Sequence, residues 1–343
     1  SGNGEAIAGQ DLIITLSGDL TNAAGGQLQA NRNLNLAATG SVANQGSIKG
    51  VQNATITGNK ITNDTGATTA AGNALNISAT GDVTNNGRMD GNTVAVTGRN
   101  VKNAGTVTAA ALTVQADTIN NSSNSAMMNS TGNISIKVTA GNVSLTNQGT
   151  IYAQGNTDIN AAGALTNSGV LAAAQNTNLA AQTIASTGTL GAGINSDGSL
   201  GSSGDLAVTA NGAIIAQGQN LAAGNLTVTG TYVDHSGAAT YAGGNVHITA
   251  TGGGINHTGA TMQVGGNLTI NAAGAVINDK DASGNTAKMT ANKVTITAGD
   301  IFNKGGTLGQ TGSGDTILTA ANSIDNTDGT IATNGSSLSI QAG

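Results

Sequence analysis

The residues best suited to chemistry in this 343-residue chain are three histidines and a few closely spaced aspartates. His235 and His257 occupy the same place in successive repeats of about 20 residues. If those repeats stack at the ~4.8 Å spacing of paired strands, the two imidazoles lie about 5 Å apart and could share a transition metal. A third convergent ligand is missing. His247 sits between Val246 and Ile248 and is expected to point outward elsewhere on the coil. Most other repeats carry Asn in the slot of His235 and His257, so the simpler reading makes them substitutes in a structural row. Asp279 and Asp281 flank Lys280, and Asp325 and Asp328 bracket a turn. Calcium solenoids need a Gly-Gly-x-Gly-x-Asp repeat, which does not occur, and no GxGxxG, P-loop, GxSxG or HExxH pattern occurs either.

Catalysis needs convergent groups with tuned pKa values, and a chain with 8% charged residues supplies few. A glycan-cutting β-helix is expected to pair carboxylates near aromatic platforms and basic side chains. The chain therefore reads as a non-enzyme, with no catalytic residue, cofactor or metal site. Tyr152 follows inward Ile151, Phe302 follows inward Ile301, and Tyr232 precedes inward Val233. All three are expected to face solvent, where an aromatic ring can contact a sugar or a protein partner. Asn-x-Ser/Thr triplets at Asn53, Asn76, Asn133, Asn142, Asn225 and Asn267 could accept glycans, but the repeat generates them automatically.

The elements that must position these residues are strands. The sequence has 53 Gly, no Pro, no Cys, no Trp and a single Glu, Glu5. It is short of helix formers and built from Thr, Val and Ile with Gly, Asn, Asp and Ser for turns. At ordinary usage of about 5%, roughly seventeen prolines are expected. Pro cannot donate to a ladder, so its exclusion fits a fold in which nearly every strand is paired on both sides. The formal charge of −6 is spread thinly, and Lys and Arg never cluster, which argues against a nucleic acid or acidic membrane partner. No apolar run approaches the ~18 residues of a membrane helix.

The repeat unit is strand, turn, strand, turn, strand, turn. Asn33-Leu34-Asn35-Leu36, Asn76-Ile77-Ser78-Ala79 and Asn267-Leu268-Thr269-Ile270 begin it; Gly40-Ser41-Val42-Ala43-Asn44 and Gly46-Ser47-Ile48-Lys49 continue it. Alternation sends Leu34, Leu36, Val42 and Ile48 to one side, and three short strands can close a triangular coil around them. The whole chain then forms an all-β, right-handed parallel β-helix of about sixteen coils of about 20 residues, a rod of about 75–80 Å. A lone coil buries too little to offset the ordering of its backbone, so stability comes from stacked neighbours.

An Asn closes the second strand of most coils: Asn22, Asn44, Asn63, Asn85, Asn103, Asn120, Asn147 and Asn167. The row lapses at Ser186 and Ala216, passes through His235 and His257, and returns at Asn278, Asn303 and Asn326. Turn Asn tolerates left-handed φ, and stacked amides can ladder along the coils. Longer spacings place irregular coils or loops near 121–131, 191–204 and 279–290. Residues 1–343 are read as one uninterrupted repeat region cut from a longer rod. A flat ice-binding Thr face is also weighed on Thr55/Thr57, Thr227/Thr229 and Thr295/Thr297, but Asn33/Asn35, Ser135/Lys137 and Asp158/Asn160 interrupt it.

The cadence of Gly18 to Ala30 (GDLTNAAGGQLQA), Gly163 to Ala173 (GALTNSGVLAA) and Gly265 to Gly274 (GGNLTINAAG) resembles the haemagglutinin repeats of filamentous haemagglutinin-like exoproteins. These include two-partner-secretion adhesins and CdiA-type effectors of contact-dependent growth inhibition. The resemblance implies a monomeric stalk exported through an outer-membrane transporter of the two-partner (TpsB) type and displayed on the Gram-negative cell surface. There it projects distal adhesive or toxin regions towards a host or bacterial receptor or glycan. The family's secretion domain carries Asn-Pro motifs, and this chain has no Pro. The alternative expectation is that the segment itself is an adhesive module, binding a receptor or glycan through its insertion loops.

Overall fold

The computed structural model describes residues 4–141 and 144–343. Asn142, one of the glycan-acceptor candidates, lies outside them. All regular structure among the described residues is β, and the parallel strands form a β-solenoid of about sixteen turns. Contacts divide the chain into two compact units, Ser1–Ala164 and Leu165–Gly343.

In the first unit the three faces are clearest in the early coils. Asn33–Ala38, Ser41–Asn44 and Ser47–Gly50 make a first, a second and a third face. Each strand pairs in parallel with its counterpart one coil on. Leu34 meets Ala54 on the first face, Val42 meets Ile61 on the second, and Ile48 meets Thr69 on the third. Because the register is in step, inward residues stack on inward residues. Leu34, Leu36, Val42 and Ile48 are all fully buried. Two coils run with so little interruption that each is a single strand, Arg88–Asn103 and Thr106–Asn121, paired along its length.

The second unit repeats the plan. Its second face stacks Ile184, Ile214, Val233, Ile255, Val276, Ile301 and Ile324 in one column. Its third face departs from hydrocarbon at inward Asn220 and Thr240, which lie opposite each other between Leu190 and Met262, and again at buried Gln310, in register with Ala291. Residues 195–203 loop out of the coil, while Gly193 and Ile194 still donate to the Gln175 and Ala173 carbonyls of the preceding coil, each at 2.9 Å. Gly193, Gly198 and Gly204 have φ of 70°, 83° and 137°. A lone antiparallel bridge joins Ile194 to Leu200 across this excursion. In the second excursion the Asp281 carboxylate accepts from the backbone N–H and the side chain of Asn285, both at 2.7 Å. That excursion ends before Lys288–Ala291, which is already a strand of the third face. In the stretch 121–131, Met127–Ser130 is likewise a strand, leaving only 122–126 as turn. That turn has five residues, against two between Asn103 and Thr106 in the preceding coil, so the coil lengthens there.

Stacking with no vertical slack dictates glycine at particular corners. Ahead of the first-face strands, an Asp or Asn side chain caps a backbone N–H of the next coil. Asp205 Oδ1 accepts from the N–H of Asn225 at 2.7 Å, Asn225 Oδ1 from Asn245 at 2.8 Å, and Asn245 Oδ1 from Asn267 at 2.9 Å. The residue before each capped N–H is Gly, and the reason is contact: a Cβ on Gly244 would lie 2.6 Å from Asn225 Oδ1, and one on Gly266 2.5 Å from Asn245 Oδ1. Gly244→Ala is expected to lower stability by about 1–3 kcal/mol through this overlap, read as a fall in thermal midpoint by circular dichroism. An unchanged midpoint would show that the coil spacing can relax there.

Candidate functional site

The most organised polar feature of the interior is a row of side-chain amides at the end of the second face. In the first unit Asn22 donates to Asn44, Asn44 to Asn63, Asn63 to Asn85, Asn85 to Asn103, Asn103 to Asn121 and Asn121 to Asn147, each at 2.8 Å. The same Nδ2 groups also donate to third-face carbonyls, Asn44 to Thr68 at 3.0 Å and Asn63 to Arg88 at 3.0 Å. Inward Thr69 joins the row, accepting from Asn44 and donating to Asn63. All these asparagines are buried. A buried amide without partners is costly, whereas a chain of satisfied amides in a low dielectric polarises each member in turn.

The rung between Asn103 and Asn147 is Asn121, and Asn120 is not part of the row. Strand alternation decides this. Ile119 is fully buried, Asn120 turns outward opposite Thr146, and Asn121 turns inward opposite Asn147. The pattern Val101-Lys102-Asn103 recurs as Ile119-Asn120-Asn121, so the rung is the second residue after the buried aliphatic.

In the second unit the row changes its chemistry. Asn167 donates to Ser186 Oγ at 3.0 Å and to the Thr189 carbonyl at 3.1 Å. Ala216 fills the next slot and offers no side-chain partner. Its carbonyl is instead reached from the third face, where Asn220 donates to it at 3.0 Å. His235 and His257 follow, 1% and 0% exposed. Nε2 of His257 lies 3.4 Å from the Lys288 carbonyl, an acceptor, so the ring proton belongs on Nε2. Nδ1 of both rings has no hydrogen-bond partner, and neither does Oδ1 of Asn278 in the following slot. A lone pair on an imidazole cannot replace the amide donor that an Asn would present to Asn278. The amide row then resumes, Asn278 donating to Asn303 at 2.7 Å and Asn303 to Asn326 at 2.6 Å.

Burial holds both histidines neutral. It lowers the His235 pKa to about 4 and, with His235 nearby, the His257 pKa to about 3. Nothing converges on them to hold a metal. His247 is on the first face, exposed and 3.1 Å from Thr249 Oγ1, and no group of three or more His, Cys, Asp or Glu gathers among the described residues. The paired aspartates are turn caps. Asp279 accepts from the Lys304 N–H at 2.7 Å and Asp325 from Thr327 at 2.9 Å and 2.6 Å, while Asp328 adopts φ 55°.

The structure does not bring the surface aromatics together. Tyr152 lies on the third face of the first unit opposite Asn129. Tyr232 sits in a turn, 37% exposed, and Lys304 Nζ lies 5.0 Å above the Phe302 ring. Sequence reasoning overlooked the Asp205, Asn225 and Asn245 caps and a third tyrosine, Tyr241. The signal for the caps was the Gly that precedes each capped residue. The signal for Tyr241 was its place between inward Thr240 and Ala242, opposite Leu221.

A parallel solenoid with this internal row defines the class; sequence similarity defines the family. A sequence profile of the haemagglutinin repeat family matches residues 1–87, 129–193, 190–253, 241–288 and 263–328, and the chain belongs to that family. It is also similar to the "tRNA nuclease CdiA-2" of Burkholderia pseudomallei (strain 1026b), 46% identical over 61 residues, 18% of this chain and 2% of that protein. The chain thus aligns with a very small part of that curated relative. No solved structure matches it.

Two outcomes follow from the row. Asn85→Ala removes the acceptor of Asn63 and the donor to Asn103 and to the Thr106 carbonyl, with an expected loss of about 2–4 kcal/mol from three broken hydrogen bonds, measurable by denaturant unfolding. For the histidines, the folded pKa values lie below the unfolded value of 6.5, so the unfolded state binds more protons between them. Their contribution to stability is full above pH ~6.5 and is lost as pH falls towards 4. A double His235→Asn, His257→Asn variant is expected to flatten the midpoint between pH 7 and 4.5 relative to the parent. Parallel pH curves for the two proteins would contradict this.

Proposed function

We propose that this chain is a stalk segment of a secreted, surface-displayed filamentous exoprotein, either an adhesin or an effector of contact-dependent growth inhibition, and that it performs no catalysis. The observation that carries the reading is the commitment of the interior. Inward side chains are used for packing or for the amide row, coil after coil, and the charged groups are spread over outer strand faces and turns without converging. Such a stack sets distance and orientation, and its length can change by whole turns without altering the rest.

Family membership supports export through a dedicated outer-membrane β-barrel partner and display on a Gram-negative surface. A chain without Cys suits passage through a pore unfolded, since no disulfide can lock it beforehand. Stacking of short coils suits folding after emergence, because each new turn finds its template in the previous one. The nuclease named for the Burkholderia protein belongs to that protein. The similarity reaches this chain through repeat sequence.

Excising residues 23–121 from the full exoprotein tests the stalk role. It removes five turns, those closed by Asn44, Asn63, Asn85, Asn103 and Asn121, and joins Asn22 to the turn that follows Asn121. The first unit is expected to shorten by about 24 Å at ~4.8 Å per turn. Attachment to target cells through distal regions is expected to persist. Abolished attachment, with the distal regions still folded, would instead make this segment a recognition element.

A further inference from the structure

The third face of the second unit carries a depression that the stalk role does not use. Two outward rows cross four coils there in strict register. Gln219, Ala239, Thr261 and Lys288 form one row; Leu221, Tyr241, Gln263 and Thr290 form the other. Short Ala239 and Thr261 lie between long Gln219 and Lys288, so the floor dips in the middle, and the half-buried Tyr241 ring stands beside it. The resulting groove has a volume of about 400 Å³, within the range of ligand sites. It runs about 14 Å from the first coil to the fourth at ~4.8 Å per step.

We propose that this groove binds an oligosaccharide bearing an acidic sugar, laid along the coils with its carboxylate at Lys288. Tyr241 and Leu221 give a flat apolar wall suited to the C–H face of a sugar ring. Gln219, Gln263, Thr261 and Thr290 give neutral donors and acceptors spaced by the coil repeat, suited to successive hydroxyls. No carboxylate lines the groove, and Lys288 makes no ion pair among the described residues. A single cation matches one carboxylate and is far too little for a nucleic acid backbone. An extended peptide has no edge to join, because these strands are already paired on both sides.

The interior holds the groove in place. Asn220 donates to Thr240 Oγ1 at 3.4 Å beneath the Tyr241 strand, and the Lys288 carbonyl faces His257 Nε2. The second excursion re-enters the coil at Lys288 and delivers that side chain into register with Thr261. The site is independent of the stalk reading, since a spacer can carry it or lack it.

The test is binding of the whole purified chain to an immobilised panel of acid-terminated oligosaccharides (sialic or uronic acid) and their neutral counterparts. The chain is expected to retain acid-terminated members. Tyr241→Ala and Lys288→Gln are each expected to weaken that binding by about tenfold or more, as for a central contact. Tyr152→Ala, on the first unit, is expected to bind as the parent does. Thermal melts of all variants separate lost binding from lost fold; should Tyr241→Ala unfold, Tyr241→Leu replaces it. No binding to any acid-terminated oligosaccharide, or folded Tyr241 and Lys288 variants that bind like the parent, would overturn the proposal.

Discussion

In-register parallel pairing between successive coils is the constraint on which everything else here rests. A coil cannot satisfy its own backbone, since its three strands diverge around a triangle and each N–H and C=O points up or down the stack. Every coil therefore depends on the one before and the one after, and that dependence fixes sequence in detail. Pro is absent because almost no backbone N–H is free. Like stacks on like, so Ile lies over Val and Asn over Asn through many turns. At the corners the vertical spacing admits no extra atom, which is why Gly244 and Gly266 lie beneath the capping oxygens of the preceding coil.

The same constraint explains what could be read from sequence. Alternation with a repeating length is a strong signal, and it led to the parallel solenoid and its buried Leu34, Leu36, Val42 and Ile48. It also placed most of the inner Asn positions. Asn120 went astray because two asparagines are adjacent there, and repeat spacing cannot choose between neighbours; only the strand's two-residue period can, and it selects Asn121. The capping row was hidden because its residues open the very strands used to align the repeat, so their recurrence looked like strand composition. The groove at Tyr241 was hidden for a different reason. It depends on which outward residues are short and which are long across four coils, a relation between residues far apart in sequence.

The histidines show how a repeat tolerates a foreign rung. An Asn side chain offers a donor and an acceptor in one plane and passes a hydrogen bond from coil to coil. A neutral imidazole offers one of each as well, but its single proton goes sideways to the Lys288 carbonyl rather than along the row. Three polar atoms in succession, Nδ1 of His235, Nδ1 of His257 and Oδ1 of Asn278, are left without partners. The gap is bounded on one side by Ala216, where the row has already been relieved by Asn220 from another face, and on the other by Asn278, whose own donors are fully used. The weak rungs are thus contiguous, and the amide rows on either side remain intact.

The interior and the surface of such a stack consequently answer to different rules. An inward residue is read by two neighbouring coils, and a change there disturbs both. An outward residue meets only its row neighbours and solvent, so it can vary without moving the backbone. A groove four coils long needs no new loop and no new fold, only a suitable sequence of short and long side chains at positions already in line. In a protein made of repeats, the outer rows and the excursions at 195–203 and 279–287 are where recognition can arise while the amide row and the aliphatic columns keep the spacing constant.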